Sequence, residues 1–353
     1  MSASTPANKD NTSGLSKDFS KDLSKDLSKD TSTIYADLNE LRRLKYLAKG
    51  FSFTPNQPAN SALSGKNVSK LRGRGLNFEE LRHYRPGDDI RSMDWKVTQR
   101  TGKPHIKVFT EERERNVFLA IDQRMTMFFG SSNKMKSVIA AELSALIAWQ
   151  ISDSGDRIGA VIYNDQQTKV IPAKRGKQHV VNLLSEVLKK NHELSIDTSI
   201  KNNTHQQTDD SESYNKMLAT LNKVSSHNGL IILIGDGHGF NEKSTDFIKQ
   251  LRQHNEVIAC HIFDPLEQTL PKMSQMIVSD GVQQIQFSSE KKQVQKNYQA
   301  EIARQLDSYV KAAKKYRIPL IEIDTIAPVE QQLRKALGYR VLSKAGGKGG
   351  AKI

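Results

Sequence analysis

Cysteine is all but absent. Cys260 is the single one in 353 residues, so a disulfide framework and a cysteine-built zinc site are excluded, and nothing asks for an oxidising compartment. It lies in the apolar run VIACHIF, where a buried, inert thiol is expected rather than a nucleophile. Aromatic residues are scarce as well, at 7%, and no stretch alternates them with arginine as a stacking platform for single-stranded nucleic acid requires. Long hydrophobic runs are missing, which excludes an apolar membrane-spanning helix, and the N-terminus has no apolar export-signal core. A cytoplasmic protein without a membrane span is expected. Catalytic signatures are missing too: no Gly-x-Ser-x-Gly elbow, His-Glu-x-x-His helix or Gly-x-x-x-x-Gly-Lys-Ser/Thr phosphate loop occurs. The chain is therefore not expected to hydrolyse ATP or to be an enzyme, and no catalytic residue is assigned.

What is plentiful is basic charge, 53 Lys and Arg against 39 Asp and Glu for a net +14. Such a surface suits an anionic partner, although a solvated basic face is the simpler reading. Charge is densest in RGRGLNFEELRHYRPGDDIRSMDW, residues 72–95. Arg72, Arg74, Arg82, Arg85, Arg91 and the nearby Arg100 interleave there with Glu79, Glu80, Asp88, Asp89 and Asp94. Arginine's planar fork pairs two-pronged with carboxylates, so the mixture is expected to form a structural lattice in a small, core-poor unit. An arginine-lined anion or phosphate site is the alternative. Pro86-Gly87-Asp88 marks a turn, and Trp95 is expected to anchor the unit by burying its ring.

Four regions follow from composition and periodicity. Residues 1–33 carry the repeat SKDF, SKDL, SKDL, SKDT, a low-complexity tail with too little apolar surface to repay ordering. Residues 34–115 comprise an amphipathic helix over Ile34–Ala48, with Leu38, Leu41, Leu44 and Leu47 three apart, and the small β-rich arginine/aspartate segment. Residues 116–340 alternate apolar strands with amphipathic helices, and 341–353 form a flexible tail. Within the third region the strands are NVFLAID, DRIGAVIYND, TKVIPA, GLIILIGD, EVIACHIF and IPLIEIDT. A long helix is expected over Ser289–Tyr316, and 191–210 forms a polar loop. Strands of this kind make an α/β fold, a doubly wound and mostly parallel sheet covered on both faces.

Ligands of such sheets bind at the carboxyl ends of strands, where strand order reverses. Asp122 and Asp236 each end an apolar strand, so their carboxylates are expected to share one crevice. His238, in GDGHG, is read as solvent-facing, with a general base or a metal ligand as the alternative.

The passage from GRGLNFEELRHYRPGDD through DIRSMDW to NVFLAID, with FDPLEQTLP further on, resembles the family called domain of unknown function fifty-eight. The likeness covers residues 70–340, and its specific part holds Arg74, Arg82, Tyr84, Pro86, Gly87, Asp88, Asp89, Arg91, Asp94 and Trp95. It implies a von Willebrand factor A-like domain and a MoxR-type AAA+ ATPase as partner. Such a domain carries a metal-ion-dependent adhesion site: Asp-x-Ser-x-Ser after the first strand, a threonine from a later loop, and an aspartate after the fourth strand. Here the first motif reads Asp122-Gln123-Arg124-Met125-Thr126, with arginine at the first serine. Thr208, backed by Ser211 and Ser213, is the candidate threonine, and Asp236 matches the last aspartate.

Arginine has no acceptor and brings a fixed positive charge, so Arg124 is expected to take the cation's place between the two carboxylates. No cofactor is expected, with weak Mg²⁺ at Asp122 and Asp236 as the alternative. The resemblance implies a non-catalytic adaptor that binds partner proteins through this degenerate site, made of Asp122, Arg124, Thr126, Thr208 and Asp236. It would work with the ATPase, chaperone-like, on a client protein in maturation or assembly. A basic-surface binder of nucleic acid or another anion is the alternative, with nucleic acid the less expected partner.

Overall fold

The computed structural model describes residues 33–49, 76–111, 115–195, 210–225 and 227–338, the last with gaps at 272, 275, 280–283 and 291. The repeat tail, Arg72, Arg74, Thr208 and residues 341–353 lie outside the described residues. The chain divides into two compact units, one of residues 53–114 and one of the remainder.

In the smaller unit, strands β1 (Leu76–His83) and β2 (His105–Glu111) pair antiparallel, with a helical turn at Ile90–Ser92 and a short helix α2 (Trp95–Thr101) between them. The expected turn forms: Gly87 takes a φ of 101° and the Asp88 amide donates to the Arg85 carbonyl. Part of the expected lattice forms as well. Arg82 grips Asp88 with two nitrogens, at 2.9 and 2.7 Å. Asp89 and Asp94, however, cap helical turns, accepting from the amides of Arg91 and of Lys96 and Val97. Asp94's second oxygen meets Lys107 at 3.1 Å, not an arginine. Trp95 departs from expectation outright, being 65% exposed. It is the first residue of α2, just after the Asp94 cap.

The larger unit is built on a six-stranded sheet. Its strands are β3 (Asn116–Asp122), β4 (Arg157–Tyr163), β5 (Thr168–Lys174), β6 (Leu230–Gly235), β7 (Glu256–Phe263) and β10 (Leu320–Asp324). Their order is β10-β7-β6-β3-β4-β5, all parallel except β5, which returns antiparallel along β4. Strand order therefore reverses between β3 and β6, and the carboxyl ends of these two neighbours form the crevice. This mixed α/β architecture, with its mostly parallel central sheet, is the fold class expected from sequence. The near-continuous burial of β3, β6 and β7 follows from helices covering both faces. Alternation then assigns each residue a face. Phe118 and Ala120 join a cluster with Tyr214, Met217, Leu218, Ile248, Leu251 and Tyr309 from the helices α5 (Asp210–Val224), α6 (Glu242–His254) and α8 (Lys292–Lys315).

The opposite face is taken by α3 (Lys136–Asp153), which packs on β3, β4, β6 and β7. It is buried almost all round because α4 (Lys177–His192), α9 (Val329–Ala336) and the N-terminal segment cover its outer side. Full burial of each Leu or Ile stabilises by roughly 1.5–3 kcal/mol, so α3 is a central strut of the unit. Cys260 is buried in β7, and burial pushes its thiol up to about 12, in keeping with an inert role.

Several boundaries differ from the sequence reading. The helix expected over Ile34–Ala48 shortens to α1 (Leu38–Arg43), capped by Asp37, and continues as a tighter helical turn at Leu44–Tyr46. Leucines three apart drift around an α-helix of 3.6 residues per turn; only Leu41 of the four is buried, and Leu47 is exposed. Residues 33–49, grouped in sequence with the arginine-rich segment, are held on the α/β unit. Trp149 donates to the Leu41 carbonyl at 3.0 Å, and the Ala36 amide donates to Asn191 at 2.8 Å. The hairpin of β8 (Met276–Ser279) and β9 (Gln284–Phe287), before α8, has no counterpart in the sequence reading.

Candidate functional site

The crevice begins with a register. Parallel pairing of β3 with β4 sets Asp122 level with Tyr163, whose hydroxyl donates to Asp122 Oδ2 at 2.7 Å. Across the other edge, β6 ends at Gly235, where an added Cβ would lie 2.9 Å from Asp122 Oδ2. A glycine is required there because the carboxylate occupies the space of a side chain.

Arg124 folds back from the next turn onto that carboxylate. Its Nε lies 3.0 Å from Asp122 Oδ1 and a terminal nitrogen 2.6 Å from Oδ2. The same guanidinium donates to the carbonyls of Asp210 at 3.1 Å and His238 at 3.0 Å, and stands 3.5 Å from Asp236 Oδ1. It also lies over the rings of Tyr163 and Tyr214, 5.3 and 5.6 Å from their centroids. Arg124 thus ties together the loops after β3 and β6 and the start of α5. Burial alone would lower the pKa of so enclosed a cation, but the Asp122 carboxylate raises it well above its ordinary value. Removing one member of such a buried pair leaves an uncompensated charge.

A second cation, unanticipated from sequence, completes the arrangement. Lys136, the first residue of α3, places its ammonium 3.2 Å from Asp236 Oδ2 and 2.5 Å from Glu267 Oε1. A positive side chain at a helix N-terminus opposes the helix dipole, a signal that this lysine needs carboxylate partners. For Asp236, burial disfavours the charged form. Lys136, Arg124 and the His238 amide outweigh it and hold the carboxyl below the usual carboxylate range.

The remaining expected residues are placed as follows. Thr126 sits in a helical turn after Arg124, and its buried Oγ1 has no hydrogen-bond partner among the described residues. Ser213, the reserve candidate for the missing threonine, donates to the Asp165 carbonyl at 3.1 Å. Asp165, missed in sequence, accepts from the Met125 amide at 2.9 Å and so secures the Arg124 turn; burial raises its pKa. His238 is not simply solvent-facing. Its side chain is 42% exposed, its Nδ1 lies 3.1 Å from Asp210 Oδ2, and that partner raises its pKa.

These residues do not fit a hard cation. Mg²⁺ demands several free oxygens in near-octahedral array, yet those of Asp122 and Asp236 already accept from the side chains of Arg124, Tyr163 and Lys136 and from two backbone amides. Two fixed positive charges stand beside them, and the Thr126 hydroxyl alone is no substitute. Direct contact with a partner is also closed to the central residues. Asp122 and Arg124 are fully buried and Asp236 is 6% exposed, because the loops they bind cover them. No group of three or more His, Cys, Asp and Glu side chains placed to hold a metal ion gathers among the described residues, in the crevice or outside it.

Comparison with known proteins adds a family and two kinds of relative. Residues 80–308 match the family model described as "Protein of unknown function DUF58". An uncharacterized protein of Mycobacterium tuberculosis is 26% identical over 242 residues, 68% of this chain and 71% of that protein. The uncharacterized protein YeaD of Bacillus subtilis is 26% identical over 104 residues, 30% of this chain and 24% of that protein. Among solved structures, the conserved hypothetical protein BatB of Bacteroides thetaiotaomicron is similar at a TM-score of 0.36 and 14% identity, covering 63% of this chain and 98% of that one. The SpRpn10 VWA domain is similar at 0.35 and 14%, covering 65% and 100%. The fold described above rests on its strand order, not on these scores.

Proposed function

The chain belongs to the DUF58 family, and on that premise we propose that it is a non-catalytic adaptor of chaperone-like role. Its α/β unit would hold a partner protein at the strand-end loops while a MoxR-type AAA+ ATPase supplies the mechanical work of maturation or assembly. The observation that carries this reading is the commitment of the crevice's charged groups to one another. Arg124 and Lys136 neutralise the two strand-end aspartates, which commits both carboxylates to internal ion pairs rather than to a cation. The buried network then acts as a frame, degenerate as an adhesion site, that holds the surrounding loops in one shape. Partner contact falls to what those loops expose, including His238 and Phe129, the latter 41% exposed. The ATPase enters from the family resemblance alone. No helix among the described residues is long and apolar enough to cross a membrane; the cytoplasmic assignment belongs to the proposal.

Affinity purification of the tagged full chain from its own cells, with ATP and then ADP, tests the reading. Nucleotide-dependent, salt-tolerant recovery of a MoxR-type ATPase is expected. Recovery of nucleic acid that falls steeply with salt would instead favour the basic-surface alternative.

A further inference from the structure

Beside the crevice, a pocket of about 70 Å³ opens at the carboxyl ends of β6 and β7. One water needs only about 10–15 Å³ of such space, so the pocket has room for a small molecule. Seven polar side chains line it, Lys136, Asp236, His238 and His261 among them, while Phe263 of β7 and Ile302 and Leu306 of α8 give it an apolar side. None of the apolar three belongs to the Asp122–Arg124 network.

Lys136 and His261 are among its polar groups that lack full partnership. An ammonium carries three donors, and Lys136 has two acceptors, Asp236 and Glu267, with no third among the described residues. His261 is 7% exposed, and its Nδ1 has no hydrogen-bond partner among the described residues. Burial lowers its pKa, which favours the neutral ring, with one donating and one accepting nitrogen. The charges nearby are already balanced. Lys136 is matched by Glu267 and by Asp236, and Asp236 is also matched by Arg124. A charged ligand would enter as an uncompensated buried ion.

We propose that this pocket binds a small uncharged amide on a short, branched apolar stem. The amide oxygen accepts from Lys136, its N–H group serves the imidazole of His261, and the stem packs on Phe263, Ile302 and Leu306. This assignment does not depend on the adaptor reading, since it concerns a pocket of the free protein.

The test uses three probes of one shape on the full chain, with its histidine rings ¹³C-labelled: isobutyramide, isobutyrate and isobutyramidinium. The His261 resonance is identified by its loss in His261→Gln. Expected is a saturable shift of that resonance with isobutyramide, at an affinity at least about tenfold above either charged isostere, a difference of about 1.4 kcal/mol. Leu306→Trp, which fills the apolar side, should weaken it at least about tenfold with an unchanged melting temperature; Ile302→Phe serves if that variant does not fold. Shifts that never saturate, that are equal for all three probes, or that survive the filling substitution would overturn the proposal and leave the pocket to water alone.

Discussion

The two units use the same chemistry, arginine against aspartate, in opposite surroundings. In the smaller unit Arg82 and Asp88 meet in a two-pronged pair near the surface, their side chains 33% and 19% exposed. In the larger one Arg124 and Asp122 also meet two-pronged, through Nε and one terminal nitrogen, with no exposure at all. Water screens the first pair and competes for it, so its net worth is small. The second has no water to return to, so each partner becomes indispensable to the other. Identical side chains therefore serve as surface decoration in one place and as a structural pin in the other.

Breaking the buried pin should give the largest effect. Arg124→Ala leaves Asp122 uncompensated among Tyr163 and Tyr214, and is expected to cost about 3–5 kcal/mol, read from chemical denaturation of the full chain. A loss no larger than that of an exposed pair would remove the distinction between the two units. Next in size is Lys136→Met, at about 1.5–3 kcal/mol, smaller because Asp236 retains Arg124 and the His238 amide. The pH profile sharpens this. A carboxyl whose folded pKa is depressed contributes stability that is present above its unfolded value, about 3.9, and lost as pH falls through the folded value. The natural protein should thus lose stability below about pH 4, and Lys136→Met should flatten that slope; an unchanged slope would exclude Asp236 as its source.

His238 titrates with the opposite sign. Its raised pKa means that pairing with Asp210 contributes fully below about pH 6.5 and fades as pH rises through the folded value. His238→Gln should erase a small stability change around neutrality, seen as coincident melting curves at acid and alkaline ends of that window. Arg82→Ala should have the least effect, a slight midpoint shift that disappears in high salt. Mg²⁺ offers a complementary check on the crevice. It should leave the melting temperature of the natural protein where it is, whereas a ligand that binds the folded state raises it.

Much of this was legible in the chain. The apolar strands and amphipathic helices of 116–340 follow from local periodicity, and Asp122 and Asp236 stand at strand ends because those runs end there. Arg124 was visible as a misfit within a short motif, and its pairing with Asp122 spans only two residues. The N-terminal helix is shorter than its leucine spacing predicts because Asp37 caps later and leucines three apart do not make one α-helical face. Trp95 departs from the sequence reading because a large ring is buried only where a neighbour covers it, and as first residue of α2 it stays 65% exposed among the described residues.

The sequence by itself determined the alternation that makes a covered parallel sheet, the two carboxylates at its edge, and the arginine set between them. Only tertiary structure decided that Tyr163 stands beside Asp122, that Lys136 reaches Asp236 one hundred residues away, and that Asp210 and His238 lend their carbonyls to Arg124. Those contacts depend on strand register and helix placement, which are settled when the core closes. Local propensity carries no record of which distant group will compensate a charge that folding removes from water.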